Sequence, residues 1–182
     1  LCGSALAAMA RLYAPFDGDY AKRCLDKALV AYEFVNGTPK GNSAAGGFYG
    51  SKPKYVADLV TFSVELYRTT GDKKYLADAE ANCSWMNAEA DYNYNYTLCY
   101  NNTEDLAAYL IASTKESSYS EKALKVMDFY VNSMYKPASG YFLNKKVGGW
   151  GKLRFPANQA FVYGLYSKLK GDMSSINQYS LT

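Results

Sequence analysis

Leu66-Tyr67-Arg68-Thr69-Thr70-Gly71-Asp72-Lys73-Lys74-Tyr75-Leu76 is the stretch on which the fold turns, because it ends one helix and starts the next within two residues. Gly71 suits the left-handed conformation that closes a helix, and the short Asp72 carboxylate accepts the orphan N–H groups of a following first turn. Upstream, Val56, Leu59, Val60, Ser63, Leu66 and Tyr67 recur at helical spacing; downstream, the pattern predicts a helix through Ala81.

The same grammar repeats outward in both directions. Leu6, Met9, Ala10 and Tyr13 form one stripe and Cys24, Leu25, Ala28, Leu29 and Tyr32 the next, with Pro15 between them and Asp17 or Asp19 placed to cap the second helix. Asp17 and Asp19 flank Gly18 in a short turn, where helix capping is a better role for them than acid–base work. A third pair is expected from about Glu104 to Ser113 and about Ser120 to Met134. A fourth begins near Pro156, ends at Lys170-Gly171, and continues past Asp172 into a helix containing Ile176, Tyr179 and Leu181. Repeats of roughly 45–55 residues with irregular connections do not match the shorter solenoid periods. They predict an all-α fold, a toroid of helical hairpins, in which long and short connections lie at opposite ends.

Composition narrows the function. The chain has 182 residues, 49% hydrophobic and 20% charged, enough for one sizeable core and without disordered bias. A net charge of +3, spread among acids, points to neither nucleic acid nor an anionic membrane as partner. The apolar runs are too interrupted to span a bilayer and the first residues carry no signal-peptide pattern, so these residues are expected to be soluble. There is no histidine, which removes Ser-His and Cys-His nucleophile systems and imidazole metal sites; no metal or cofactor is expected. Hydrolytic chemistry would fall to carboxylates.

Tyrosine is in excess, at 19 residues. Many tyrosines bridge core and water, yet the surplus also suits a ligand with stacking faces. Three long connections hold most of the unusual residues. Residues 37–54 carry Gly46, Gly47, Phe48 and Tyr49; residues 87–102 carry Tyr92, Tyr94, Tyr96 and Tyr100; residues 136–155 carry Tyr141, Phe142, Trp150 and Arg154. Each precedes the first helix of a pair, so a toroid gathers them at one end as a cleft. Trp150-Gly151-Lys152-Leu153-Arg154-Phe155-Pro156-Ala157-Asn158-Gln159-Ala160-Phe161, just before an amphipathic helix, suits a sugar, since an indole can stack on its ring face and a guanidinium fork can bond vicinal hydroxyls. This is a binding signature without catalytic groups.

The four cysteines, Cys2, Cys24, Cys83 and Cys99, lack zinc spacing and leave disulfides (Cys83–Cys99, Cys2–Cys24) or buried thiols open. Four Asn-x-Ser/Thr sequons, at Asn36, Asn82, Asn95 and Asn101, each favour an extracellular setting weakly.

The Leu66–Leu76 and Trp150–Phe161 segments, in that order, resemble the middle of glycoside hydrolase family 9, the inverting endo-β-1,4-glucanases, and the similarity covers essentially all of residues 1–182. The resemblance implies an (α/α)6 barrel of which this chain is an internal part of the catalytic domain, secreted, with a β-1,4-glucan as substrate and the remaining parts of the same domain as partners. Whether it joins a larger cellulolytic assembly is left open. It further implies that Trp150 and Arg154 line glucose subsites near the scissile bond, that Phe155 stands where many members have tyrosine, that Tyr49 and Tyr55 belong to an aromatic loop, and that Tyr100 replaces a stacking tryptophan. Asn101 takes a usual aspartate position, Ala57-Asp58 replace a frequent Asp-Glu pair, and Thr61 replaces a frequent tryptophan. The aspartate pair that activates water and the glutamate that protonates the leaving oxygen have no counterpart here. Inversion needs carboxyls roughly 6.5–9.5 Å apart across the sugar, and no local pair fits. The expectation is therefore a glucanase portion that supplies subsite walls with no catalytic residue of its own; the alternative is a non-catalytic carbohydrate-binding or helical scaffold protein.

Overall fold

A computed structural model describes residues 1–38, 55–87, 98, 102–134 and 154–172. It divides the chain into two compact units, residues 1–83 and 84–182. The elements described are α-helices and one 3-10 turn, with no strand among the described residues.

The first unit holds two hairpins. α1 (Cys2–Tyr13) packs on α2 (Gly18–Gly37), and α3 (Tyr55–Thr70) packs on α4 (Lys73–Ala81) and on α1. The predicted caps form. Asp17 Oδ1 accepts from the Tyr20 N–H at 2.8 Å and Asp72 Oδ1 from the Lys74 N–H at 2.9 Å. Gly71, at φ +73°, closes α3 with its N–H on the Tyr67 carbonyl, a conformation in which a Cβ would be strained. α3 differs from the single stripe that its spacing predicts: Ala57 and every residue from Leu59 to Leu66 are buried. A helix covered nearly all round is an interior one. Of its three buried ionic or polar members, Glu65 is paired with arginines, the Ser63 hydroxyl lies 3.5 Å from the Tyr32 hydroxyl, and the Thr61 hydroxyl is buried without a hydrogen-bond partner among the described residues.

Small residues let the backbones approach. Ala7 and Ala28, both fully buried, make room for Tyr32, Phe62, Leu66 and Tyr75 to form one cluster. Tyr32 is its hub, meeting Phe62 and Tyr75 edge-to-face at 5.3 and 5.1 Å, in the geometry the ring quadrupoles favour. Its hydroxyl escapes the desolvation penalty by donating to Asp78 at 2.6 Å, and burial raises the phenol above its ordinary pKa.

The second unit contains a 3-10 turn at Ser84–Asn87 that the sequence pattern does not predict, then α5 (Glu104–Ala112), α6 (Ser120–Met134) and α7 (Arg154–Lys170). The polar turn between α5 and α6 satisfies itself: Thr114 Oγ1 donates to the Leu110 carbonyl at 2.9 Å and Ser120 Oγ to the Ala112 carbonyl at 3.2 Å. α7 packs on both α5 and α6, and Gly171 at φ +70° ends it as expected. α7 is not the clean amphipathic helix expected after Trp150. Its buried positions include Gln159 and Ser167 alongside Val162, while Phe161 is exposed, so the polar and apolar residues do not separate by face. The helix expected beyond Asp172 lies outside the described residues.

Three of the four cysteines lie among the described residues. Cys2, Cys24 and Cys83 are free thiols, so of the alternatives left open by the sequence it is the thiols that form, and neither Cys2–Cys24 nor Cys83–Cys99 is bridged: Cys24 is buried on α2 while Cys2 is exposed. Cys83 is a buried thiol whose Sγ donates to the Ala79 carbonyl at 3.2 Å. Cys99 lies outside the described residues.

Candidate functional site

The long connections enter helices where the pattern places them. α3 opens at Tyr55, α5 at Glu104 and α7 at Arg154, whereas the short turns join the helices within each pair. Of the six expected sugar-contacting residues, Tyr55 is the first residue of α3 and is exposed. Arg154 and Phe155 open α7; their side-chain positions, and the whole of Tyr49, Tyr100 and Trp150, lie outside the described residues.

Within the second unit, the starts of α5 and α7 are joined. Asn158, one turn into α7, donates from Nδ2 to the carbonyl of Leu98 at 3.0 Å. Leu98 is the one non-glycine residue with positive φ among those described, at +44°. For an L-residue that conformation costs about 1–2 kcal/mol, since Cβ crowds the following carbonyl. Four residues on, Asn102 Oδ1 accepts the Glu104 N–H at 3.1 Å, turning the chain into α5.

α5 begins with two consecutive acids that are both buried: Glu104 is 6% exposed and Asp105 1%. The N-terminal end of a helix favours negative charge, and Glu104 Oε2 also accepts a 3.0 Å bond from the buried hydroxyl of Tyr130 on α6. Sequence reasoning passes over this pair because acids in a first turn ordinarily sit in water as dipole partners; an apolar pattern gives no sign that the helix start is covered. Asn158 is missed for a similar reason, being one polar residue on a helix whose faces do not separate. The cue was its place next to the Arg154-Phe155 segment.

Further along α7, Tyr166 donates to Asp128 Oδ1, which also holds Lys170 Nζ at 3.2 Å. Burial, and then the adjacent carboxylate, push the Tyr166 phenol well above its ordinary range, so it stays protonated. Among the described carboxylates, Asp17 and Asp72 act as caps, Glu65 is held by arginine and Glu104 accepts from Tyr130.

The model of glycosyl hydrolase family 9 matches residues 2–181. Endoglucanase 4 of Bacillus sp. (strain KSM-522) is 30% identical across 97% of this chain and 29% of its own length, and Endoglucanase A of Bacillus pumilus is 28% identical across 97% of this chain and 28% of its own. The chain thus spans under a third of the length of these curated relatives. Among solved structures, an endoglucanase from the termite Nasutitermes takasagoensis superposes with a TM-score of 0.80 at 26% identity, covering 98% of this chain and 41% of that one. The cellulase Cel9M of C. cellulolyticum gives 0.78 at 25% identity, covering 98% and 40%.

Proposed function

Because the chain belongs to glycosyl hydrolase family 9, we propose that it is part of the catalytic domain of a secreted endo-β-1,4-glucanase, a segment of an (α/α)6 barrel that helps to bind cellulose or a related β-glucan for hydrolysis with inversion. The observation that carries this reading is the family match along residues 2–181 together with endoglucanase relatives aligned across 97% of the chain.

In this role the chain supplies the walls of the sugar subsites. Trp150 stacks on a glucose ring, Arg154 bonds its hydroxyls, Tyr55 and Phe155 extend the surface at the starts of α3 and α7, and Tyr49 and Tyr100 contribute from the connections. The two carboxyl functions of an inverting reaction, one to activate water and one to protonate the leaving oxygen, come from the rest of the domain. Among the described carboxylates, Asp17 and Asp72 cap helices and Glu65 ties α1 to α3.

The test is hydrolysis by the intact protein. Loss of viscosity of a soluble cellulose derivative, with proton NMR showing the α-anomer as first product, supports an inverting endoglucanase. Retention of glucan without release of reducing ends would instead establish a non-catalytic carbohydrate-binding protein.

A further inference from the structure

We propose that Asn158 is a positioning residue for the glucan subsites, setting the chain that enters α5 against the first turns of α7 by clamping the left-handed Leu98; the inference rests on the glucanase reading above.

The bond links positions 60 residues apart, from a side chain on α7 to a main-chain carbonyl before α5. Leu98 sits at φ +44°, a conformation that an L-residue keeps only when its surroundings fix it. A donor held on a half-buried helix supplies such a constraint, because it selects the peptide orientation that turns the Leu98 carbonyl to α7. The second anchor, Asn102 on the Glu104 N–H, fixes the chain where it becomes helix. Glu104 is held in turn by Tyr130. The short stretch between these anchors contains Tyr100, and Asn158 follows Arg154 and Phe155 by about one helical turn. One amide therefore ties Leu98, two positions before Tyr100 in the sequence, to α7.

The chemistry demands a donor. Asn158→Asp keeps the size but sets a carboxylate against a carbonyl oxygen, and Asn158→Ala removes the donor without adding charge. Both variants of the intact enzyme are assayed on cello-oligosaccharides beside the wild type, with thermal unfolding followed by circular dichroism. A subsite that is misplaced without damage to the reacting groups loses uniform binding, so KM rises about tenfold while kcat stays within about threefold. Adding Leu98→Gly to Asn158→Ala restores most of the KM, because glycine takes positive φ with no clamp.

An unchanged KM in both single variants, a failure of glycine to restore it, or loss of folded protein in both single variants overturns the positioning role. A wild type that neither binds nor hydrolyses glucan overturns the glucanase reading, and this inference with it. The two failures are thus read from different arms of one experiment.

Discussion

Gly3 of α1 lies against the ring of Phe62 on α3, so closely that a Cβ at Gly3 would stand within 2.7 Å of three ring atoms. Phe62 is 5% exposed and packs edge-to-face with Tyr32, so the ring has little room to move away. Two effects of Gly3→Ala compete. Alanine in a helix gains roughly 0.5–1 kcal/mol over glycine, while overpacking a closed core costs roughly 1–3 kcal/mol. The clash wins, and Gly3→Ala in the intact protein is expected to lose about 1–2 kcal/mol. Chemical denaturation measures it; an equal or higher midpoint would show that Phe62 yields.

Arg11 and Glu65 join the same two helices by charge. Arg11 Nη2 meets Glu65 Oε2 at 2.6 Å, Arg68 Nη1 meets Oε1 at 3.1 Å, and Arg11 Nη1 donates to Thr69 Oγ1 at 2.9 Å. The Glu65 side chain is 10% exposed, against 29% for Arg11 and 38% for Arg68. Removing Arg11 leaves a mostly buried carboxylate with its more exposed partner alone. Arg11→Ala is expected to cost about 1–3 kcal/mol, below the range for fully buried pairs because solvent reaches the arginines. Arg68→Ala is expected to cost under about 1 kcal/mol. Equal losses in urea titrations of the two variants would contradict the ranking.

Where local chemistry decides, the sequence is readable: Asp17, Asp72, Gly71 and Gly171 cap or close helices at the positions their residue types predict. The hairpin pairing follows, because short capped turns leave antiparallel neighbours little choice. Burial is less legible. The apolar stripe of α3 does not reveal that Thr61, Ser63 and Glu65 are buried too, since their cover comes from distant helices. Some of the tyrosine surplus is core, as Tyr32, Tyr75 and Tyr130 show, for a phenol with a hydrogen-bond partner packs as well as phenylalanine. In the candidate site, the helix starts are legible from spacing. The Asn158–Leu98 bond is not, because a side chain reaching a backbone carbonyl 60 residues away leaves no periodic trace.

Cys83 should behave as an inert thiol with an alkaline signature. Burial, helped by Glu80, pushes it from an ordinary 9.0 to about 12. A folded-state pKa above the unfolded value means that its contribution is fully present below pH 9.0 and is lost as pH rises toward about 12, because the unfolded chain releases the proton first. Cys83→Ala should therefore flatten the fall in stability across that window. At about pH 8, peptide mapping after maleimide treatment should find Cys2 labelled and Cys83 protected in the folded protein. Rapid labelling of Cys83, or an identical alkaline slope in the variant, contradicts the assignment.

The substrate assignment depends on two contacts, of Trp150 and of Arg154, that different substitutions should separate. An indole laid on a pyranose loses its apolar cover when truncated, and Trp150→Ala is expected to weaken binding of a cello-oligosaccharide by about 2 kcal/mol, roughly 30-fold. Arg154→Lys keeps the charge but loses the planar fork, so discrimination among sugars should fall more than nonspecific affinity does. Calorimetric titration with cello- and manno-oligosaccharides, whose vicinal O2/O3 hydroxyls differ in configuration, distinguishes the two losses. Trp150→Ala should weaken both ligands alike, because stacking reads a ring face, whereas Arg154→Lys should narrow the gap between them. Unchanged affinity in Trp150→Ala would remove the indole from the subsite wall and leave the Arg154 segment without its stacking partner.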